Sequence, residues 1–449
     1  MKTIKSITLL LLAFSLQMFG QSYSLKQSIE YAKQNNSNIK IANLNSEIGD
    51  KQVKEAIGSG LPQIDFTGTV KNNLKISTQL SPGALFGSSE AFVAVQSGTK
   101  YNLSAGLQLT QKVFDYSFWV GLDAAKLNSQ LYEQNFQKTE EEIIYNVSAT
   151  YYNALVIQKQ FENLKAILDA SEQTLKSTEL KYQNGMTKKI DVDKIKVSYN
   201  NTKSQMQQAE LNYKQALNNL KYEMGMSVDS TITLSDSISE NIHGAFWNAL
   251  QTNDNGYENR VDYQMLKTNL SLYEAEKSNN IAAFFPTLSF SADYSYQAQR
   301  SKFNFFDSDE EWFNSSFIGL TLSIPIFSGF QNYAKVERSD LNIKIAEENL
   351  KLSEQSIKVE LSNYEIQYRS ALDNIRNEKE NLDLAGSVFK NTQLEFKQGA
   401  GSSLDLVQAE SSLRETQNNY YAKLLELYVA GLDLEKSKGT LNNFYNNLK

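Results

Sequence analysis

The chain has 449 residues, with 44 basic and 51 acidic side chains and a formal net charge of −7. It contains 4 prolines, 21 glycines, no cysteine and one histidine, His243. The acidic balance argues against a nucleic-acid surface. The missing cysteines and lone histidine remove disulfides, thiolate nucleophiles and histidine-based metal clusters, so no cofactor, metal or enzymatic activity is expected.

Residues 1–20 read as a signal peptide. Lys2 and Lys5 precede a mostly apolar stretch from Ile7 to Leu16, and Gly20 is a small residue at the expected cleavage point. No later run of about 18 apolar residues exists, so a membrane crossing would have to be made by strands. From Ser24 to Ile57 the pattern is helical, and Pro62 ends it. The period then changes to two. Ile64, Phe66 and Val70 alternate with polar residues, as do Leu103, Ala105, Leu107 and Leu109 further on. These mark strands at about 62–75 and 100–113, joined by a long loop, Ser81 to Thr99, that is uncharged over most of its length. A proline-free stretch follows, and its heptad seam (Val147, Ala154, Phe161, Leu168, Leu175) predicts a long helix over about 115–182. Past Gly185 the chain turns back through a second helix over about 191–226.

The pattern then recurs. KYQNGMTKKIDV at 181–192 resembles EFKQGAGSSLDL at 395–406, and Gly185 and Gly399 are separated by the same 214 residues as Asp191 and Asp405. The seam Val192, Tyr199, Met206, Tyr213 and Leu220 returns, at that offset, as Leu406, Leu413, Tyr420, Leu427 and Leu434. Upstream, GSGLPQIDF at 58–66 matches AAFFPTLSF at 282–290. The chain is therefore two copies of one unit, helix, β-hairpin, long helix, shorter returning helix. The first occupies 21–226 and the second 257–449, with strands at about 286–298 and 315–327 and a long helix over about 330–397. The linker 227–256 carries a short strand near Thr231 to Leu234, an amphipathic stretch around Phe246 and Trp247, and His243. Its position predicts that it sits half-way along the long helices. In the second hairpin loop Asp307, Asp309, Glu310 and Glu311 read as a solvated surface.

Aromatics collect where strands meet helices: Phe114 and Trp119, Phe284 and Phe285, Phe327 and Phe330. That placement fits an aromatic girdle at a membrane interface, and the small neutral residues of the alternate strand face fit a water-filled lumen. Four strands cannot close a barrel, and an open edge in lipid leaves backbone groups unpaired. Three copies give a closed twelve-stranded barrel with room for solute. The fold expected from the residues is thus α plus transmembrane β, a trimer with one shared twelve-stranded barrel.

The duplicated unit, the Leu61-Pro62 and Phe285-Pro286 steps before each hairpin, and the glycine-to-aspartate tips resemble the TolC-type outer-membrane efflux proteins. The likeness spans about Ser24 to Leu441. It implies a trimer whose outer-membrane barrel continues into a periplasmic α-helical barrel, a passive exit duct lodged in outer-membrane lipid and served by an inner-membrane pump and a periplasmic adaptor. One-step (type I) protein secretion is the alternative use of the same duct, and a periplasmic coiled-coil adaptor is the reading from a different class. The resemblance also places the two tips at the periplasmic mouth, where acidic side chains narrow the pore. Asp405 matches the first acidic position there, Gln408 stands where a second acid often sits, and Gly401 where a basic linking residue can occur. Asp191 and Asp193 supply acids from the other tip. As local structure, Gly185 and Gly399 are expected to end helices in the left-handed conformation, and Ser402 with Asp405 to form a capping box.

Overall fold

In the computed structural model the described residues are 21–238 and 256–448. The segment 1–20 and, in the linker, His243, Phe246 and Trp247 lie outside the described residues. The first half of the chain runs β1 (Gln21–Tyr23), α1 (Leu25–Asn35), α2 (Ser37–Gly58), β2 (Gln63–Asn72), β3 (Thr78–Pro82), β4 (Phe92–Gln96), β5 (Tyr101–Phe114), α3 (Tyr116–Gln183) and α4 (Lys189–Met224). After β6 (Ile232–Leu234) come α5 (Val261–Ala282), β7 (Thr287–Arg300), β8 (Phe313–Ser323), α6 (Gln331–Gln398), α7 (Ser403–Ser437) and α8 (Leu441–Asn446).

The duplication is visible in element lengths. Helices α2 and α5 have 22 residues each, α3 and α6 have 68 each, and α4 and α7 have 36 and 35. With no proline inside it, a 68-residue helix extends about 100 Å. The described residues divide into a helical unit, built from residues up to Glu47, Leu131–Lys267 and Glu348 onward, and a strand-bearing unit of Ile48–Gln130 and Thr268–Glu347.

The helical unit is held by one main core. The middle of α3 (Ile143, Ile144, Val147, Tyr151, Ala154) packs with Tyr368 and Ala371 of α6 and with Leu424, Leu427, Leu432 and Leu434 of α7. Tyr152 and Tyr428 stack face to face at 4.1 Å. The linker strand expected near Thr231 to Leu234 joins this core as β6, and it pairs in parallel with β1, a strand the sequence pattern did not reveal. Ile232, Leu234 and Phe444 of α8 are buried in the same core.

The first helical stretch, expected as continuous from Ser24 to Ile57, is broken at Asn36, which adopts φ −61°, ψ 131°. Its side-chain amide donates to the Glu223 carbonyl (2.7 Å), and its Oδ1 accepts from the Asn38 N–H. Gly225, at φ +71°, ends α4 directly against this joint, where a Cβ would come within 2.6 Å of the Asn36 Cα. The second repeat builds the same joint from Arg260, against which Gly439 (φ +67°) ends α7. The Arg260 guanidinium grips Asp262 through both carboxylate oxygens (3.0 and 2.8 Å), Glu360 (3.1 Å) and the Ser437 carbonyl (3.3 Å).

In the strand-bearing unit β2, β5, β7 and β8 form one antiparallel sheet in the order β2-β5-β7-β8. The register aligns the apolar alternation across strands, as in Phe66 opposite Leu107 and Leu107 opposite Tyr294. On the other face Asp65, Gln108 and Asp293 lie at one level. Phe317 also falls on this polar face, opposite Asp293. Two expectations change here. The loop Ser81 to Thr99 is not irregular but carries the β3–β4 hairpin around a 3₁₀ turn at Gly83–Phe86. The last strand, expected to reach 327, ends at Ser323, two residues before Pro325, which has no N–H to donate to a ladder.

The acidic loop of the second hairpin is organised from within. Arg300 donates to the Asn304 carbonyl and to the Glu311 carbonyl (3.3 Å), and its guanidinium lies 5.1 Å from the centre of the buried Phe305 ring. Asp307, Asp309, Glu310 and Glu311 remain on its exposed side.

Candidate functional site

Each long helix ends in a glycine turn. At the first tip Gly185 (φ +72°) lets the Met186 N–H reach the Lys181 carbonyl at 2.8 Å. At the second, Gly399 (φ +83°) lets the Ala400 N–H reach the Glu395 carbonyl at 2.9 Å. Left-handed backbone at these points suits glycine, which has no Cβ to clash. The chain then re-enters a helix, with Asp191 in the first turn of α4 and Asp405 in the first turn of α7, where the helix dipole favours a carboxylate.

The two carboxylates have different surroundings. Asp191 accepts from the Ser403 hydroxyl of the other tip at 2.6 Å and from Thr187 at 3.2 Å. The Ser403 hydroxyl, helped by Thr187, holds the Asp191 carboxyl below the usual carboxylate range. Asp405 is exposed and has no side-chain partner among the described residues. Asp193 and Gln408 are exposed as well, on the outward sides of α4 and α7. The expected capping box is not formed. Ser402 caps α7 by accepting from the Leu404 N–H (3.0 Å), one residue short of the N3 position a box requires, so Asp405 stays unengaged.

Three further features tie the tips, and of their residues the sequence had marked only Leu175, Val192 and Leu406, as members of the seam. Lys181 donates to the Lys397 and Phe396 carbonyls (3.1 and 3.4 Å). Leu175, Val192, Ile195 and Leu406 form a small apolar core behind the turns. Further along, Thr202 donates to Glu410 (2.8 Å) while Arg414 donates to Thr202 (2.7 Å) and Gln205 (3.3 Å), a buried polar layer inside the seam. Glu410 and Arg414, four residues apart within a heptad pattern, were the available signal for that layer. Ser403 left none.

The predicted girdle residues all lie in the strand-bearing unit, and all are exposed there. Phe327 and Phe330, between β8 and α6, are 76% and 75% exposed and meet edge to face at 5.5 Å. Phe285 packs on Tyr116 at 5.0 Å, and Trp119 on Phe118 at 5.2 Å. Phe330 adopts φ +64°, a costly conformation for a bulky residue. No described helix is long and apolar enough to cross a membrane.

The outer membrane efflux protein family matches residues 28–225 and 256–440, nearly all of both repeats. The chain belongs to that family. It is similar to the outer membrane protein TolC of Vibrio cholerae serotype O1, at 21% identity over 346 residues, 76% of this chain and 77% of the relative. It is also similar to the proteases secretion protein PrtF of Dickeya chrysanthemi, at 21% identity over 433 residues, 94% of this chain and 89% of the relative. Among solved structures, CusC superimposes with a TM-score of 0.71 at 18% identity, covering 92% of this chain and 91% of its own, a likeness of fold. The protein is therefore an outer-membrane efflux channel, mostly helical with a smaller sheet, and the residues described above belong to such a channel.

Proposed function

We propose that three copies of this chain assemble into one exit duct, and that the tips with Asp191, Asp193, Asp405 and Gln408, beside Gly185 and Gly399, form its periplasmic mouth. The observation that carries the reading is the four-stranded sheet. Its edge strands β2 and β8 have no partner among the described residues, and on one of its faces Ile64, Phe66, Leu107, Tyr294, Ile318 and Leu320 all lie exposed. In lipid such edges leave backbone donors and acceptors unpaired, which copies of the same sheet satisfy by closing a ring. Three sheets give twelve strands, wide enough for an open lumen. The aromatics Phe114, Trp119, Phe284, Phe285, Phe327 and Phe330 then anchor the periplasmic rim of that barrel.

The duct carries no energy source of its own, so an inner-membrane pump and a periplasmic adaptor are its working partners. The similarity to a proteases secretion protein across 94% of this chain supports protein export as a second use of the same duct beside small-molecule efflux. The test is planar-bilayer recording of the purified chain. Discrete conductance steps, cation-preferring and blocked by multivalent cations from the tip side, are expected. Insertion without any conductance overturns the duct.

A further inference from the structure

Next to the small apolar core behind the turns, helices α3, α4, α6 and α7 enclose a cavity with room for one water-sized sphere. Ser171 and Thr174 of α3, Ser198 of α4, Gln393 of α6 and Glu410 of α7 line it, and apolar side chains close the rest. Ser171, Thr174, Ser198 and Glu410 are each 5% exposed or less. Two of these groups lack what burial demands. The Ser198 hydroxyl has no hydrogen-bond partner. The Glu410 carboxylate accepts from Thr202 (2.8 Å) and has no ion pair among the described residues, while Arg414, one turn along α7, donates to Thr202 and Gln205 instead. A buried carboxylate is costly unless a charge compensates it closely. A water in the cavity would serve the Ser198 hydroxyl but bring no charge to Glu410.

We propose that this cavity binds one monovalent cation of the size of sodium, held by the Glu410 carboxylate, the hydroxyl oxygens of Ser171, Thr174 and Ser198 and the amide oxygen of Gln393. The donors are free for it. Thr174 gives its own proton to the Ala170 carbonyl (2.9 Å), and Gln393 gives an amide proton to Thr174 (3.5 Å), so both keep oxygen lone pairs. All five are hard oxygen ligands, as alkali and alkaline-earth ions require. One carboxylate among neutral oxygens, with Arg414 nearby, supplies too little negative charge for a divalent ion. The site occurs once per chain. At the 214-residue repeat offset Ser198 corresponds to Ser412, but Glu410 corresponds to Lys196, whose ammonium takes the place of a cation. The ion joins both long helices to both returning helices, and it does so within one chain, whatever the number of copies in the assembly.

The test is hydrogen–deuterium exchange of the full-length protein in mild detergent, in NaCl and in choline chloride at equal ionic strength. Choline is too large to enter the cavity. Peptides covering 195–202 and 406–414 are expected to exchange several-fold more slowly in NaCl, because an ion held only by the closed state suppresses local opening by a factor of 1 + [Na⁺]/Kd. Peptides from the β1–β6 pair serve as the internal reference and should not change. KCl is expected to protect less than NaCl, and equal protection by KCl overturns the sodium assignment. Glu410→Gln and Ser198→Ala are each expected to abolish the difference between salts. Equal exchange of the wild-type peptides in all three salts overturns the ion and leaves a water as the occupant. Sodium protection that persists in both variants overturns the site.

Discussion

Large apolar side chains behave in opposite ways in the two units of this molecule. In the helical unit Leu424, Leu427, Leu432 and Leu434 are fully buried, as are Ile144 and Tyr151. In the strand-bearing unit Phe66, Ile318 and Leu320, which are no less apolar, are 70%, 79% and 66% exposed. Composition does not distinguish the two sets. The difference is in what each packs against: the helices bury their apolar seams on one another, whereas one whole face of the sheet is left for another solvent. In the barrel proposed above that solvent is lipid, so the same leucine would answer to different rules in the two units.

Substitutions that treat the two sets alike sharpen the contrast. Leu427→Ala leaves a cavity in a close-packed core and is expected to destabilise the helical unit by about 2–5 kcal/mol, read by chemical denaturation. Leu320→Arg or Phe290→Arg places a charge on the lipid face at a cost of about 2–4 kcal/mol per chain, so folded assembly in vesicles should fall sharply. Ser289→Thr and Thr321→Ser, on the polar face, should leave assembly intact. Equal tolerance at both faces would reverse the face assignment. Leu320→Ala should cost far less than Leu427→Ala, because fluid lipid fills the space that a protein core leaves empty.

Arg260→Ala tests the joint within the second repeat. It removes hydrogen bonds to two carboxylates and a carbonyl, each charge-assisted contact being worth about 1.5–3 kcal/mol before solvent screening of the half-exposed acids. Unfolding of the helical unit should come at lower denaturant, with the sheet unaffected. A smaller effect comes from Glu141. Burial, reinforced by Asp262 and Glu140 and opposed by Arg260 and Lys436, pushes its carboxyl up to about 7. A folded-state value above the unfolded one means the folded protein holds that proton more tightly. The group's contribution to stability is therefore lost as pH rises from about 4.5 to 7. Glu141→Gln should flatten that part of the profile and stabilise the helical unit above pH 7; an unchanged profile would remove Glu141 as its source.

Much of this architecture was legible because duplication and period are properties of the sequence itself. The 214-residue offset exposed both tips, and period-two alternation exposed the four strands of the main sheet. What escaped depends on partners distant in the chain. Asn36 breaks a helix with no proline or glycine nearby, because the Glu223 carbonyl and the C-terminus of α4 reward the bend. Strand β1 exists only through β6, some two hundred residues on, and the β3–β4 hairpin forms in a segment with little strand patterning. At the tips, the positions of Asp191 and Asp405 were legible, but their inequivalence was not. It follows from Ser403, an unremarkable serine until the two helix hairpins are brought side by side.

The central claim is that the sheet of one chain is a third of a barrel. The mass of the protein part of the particle, extracted in mild detergent and measured by light scattering with the detergent contribution subtracted, tests it most directly. The account predicts three chains, each of 50.8 kDa less the expected signal peptide, with assembly lost when Leu320 or Phe290 becomes arginine. A folded single chain, its sheet intact by circular dichroism and its edges unpaired, would contradict it.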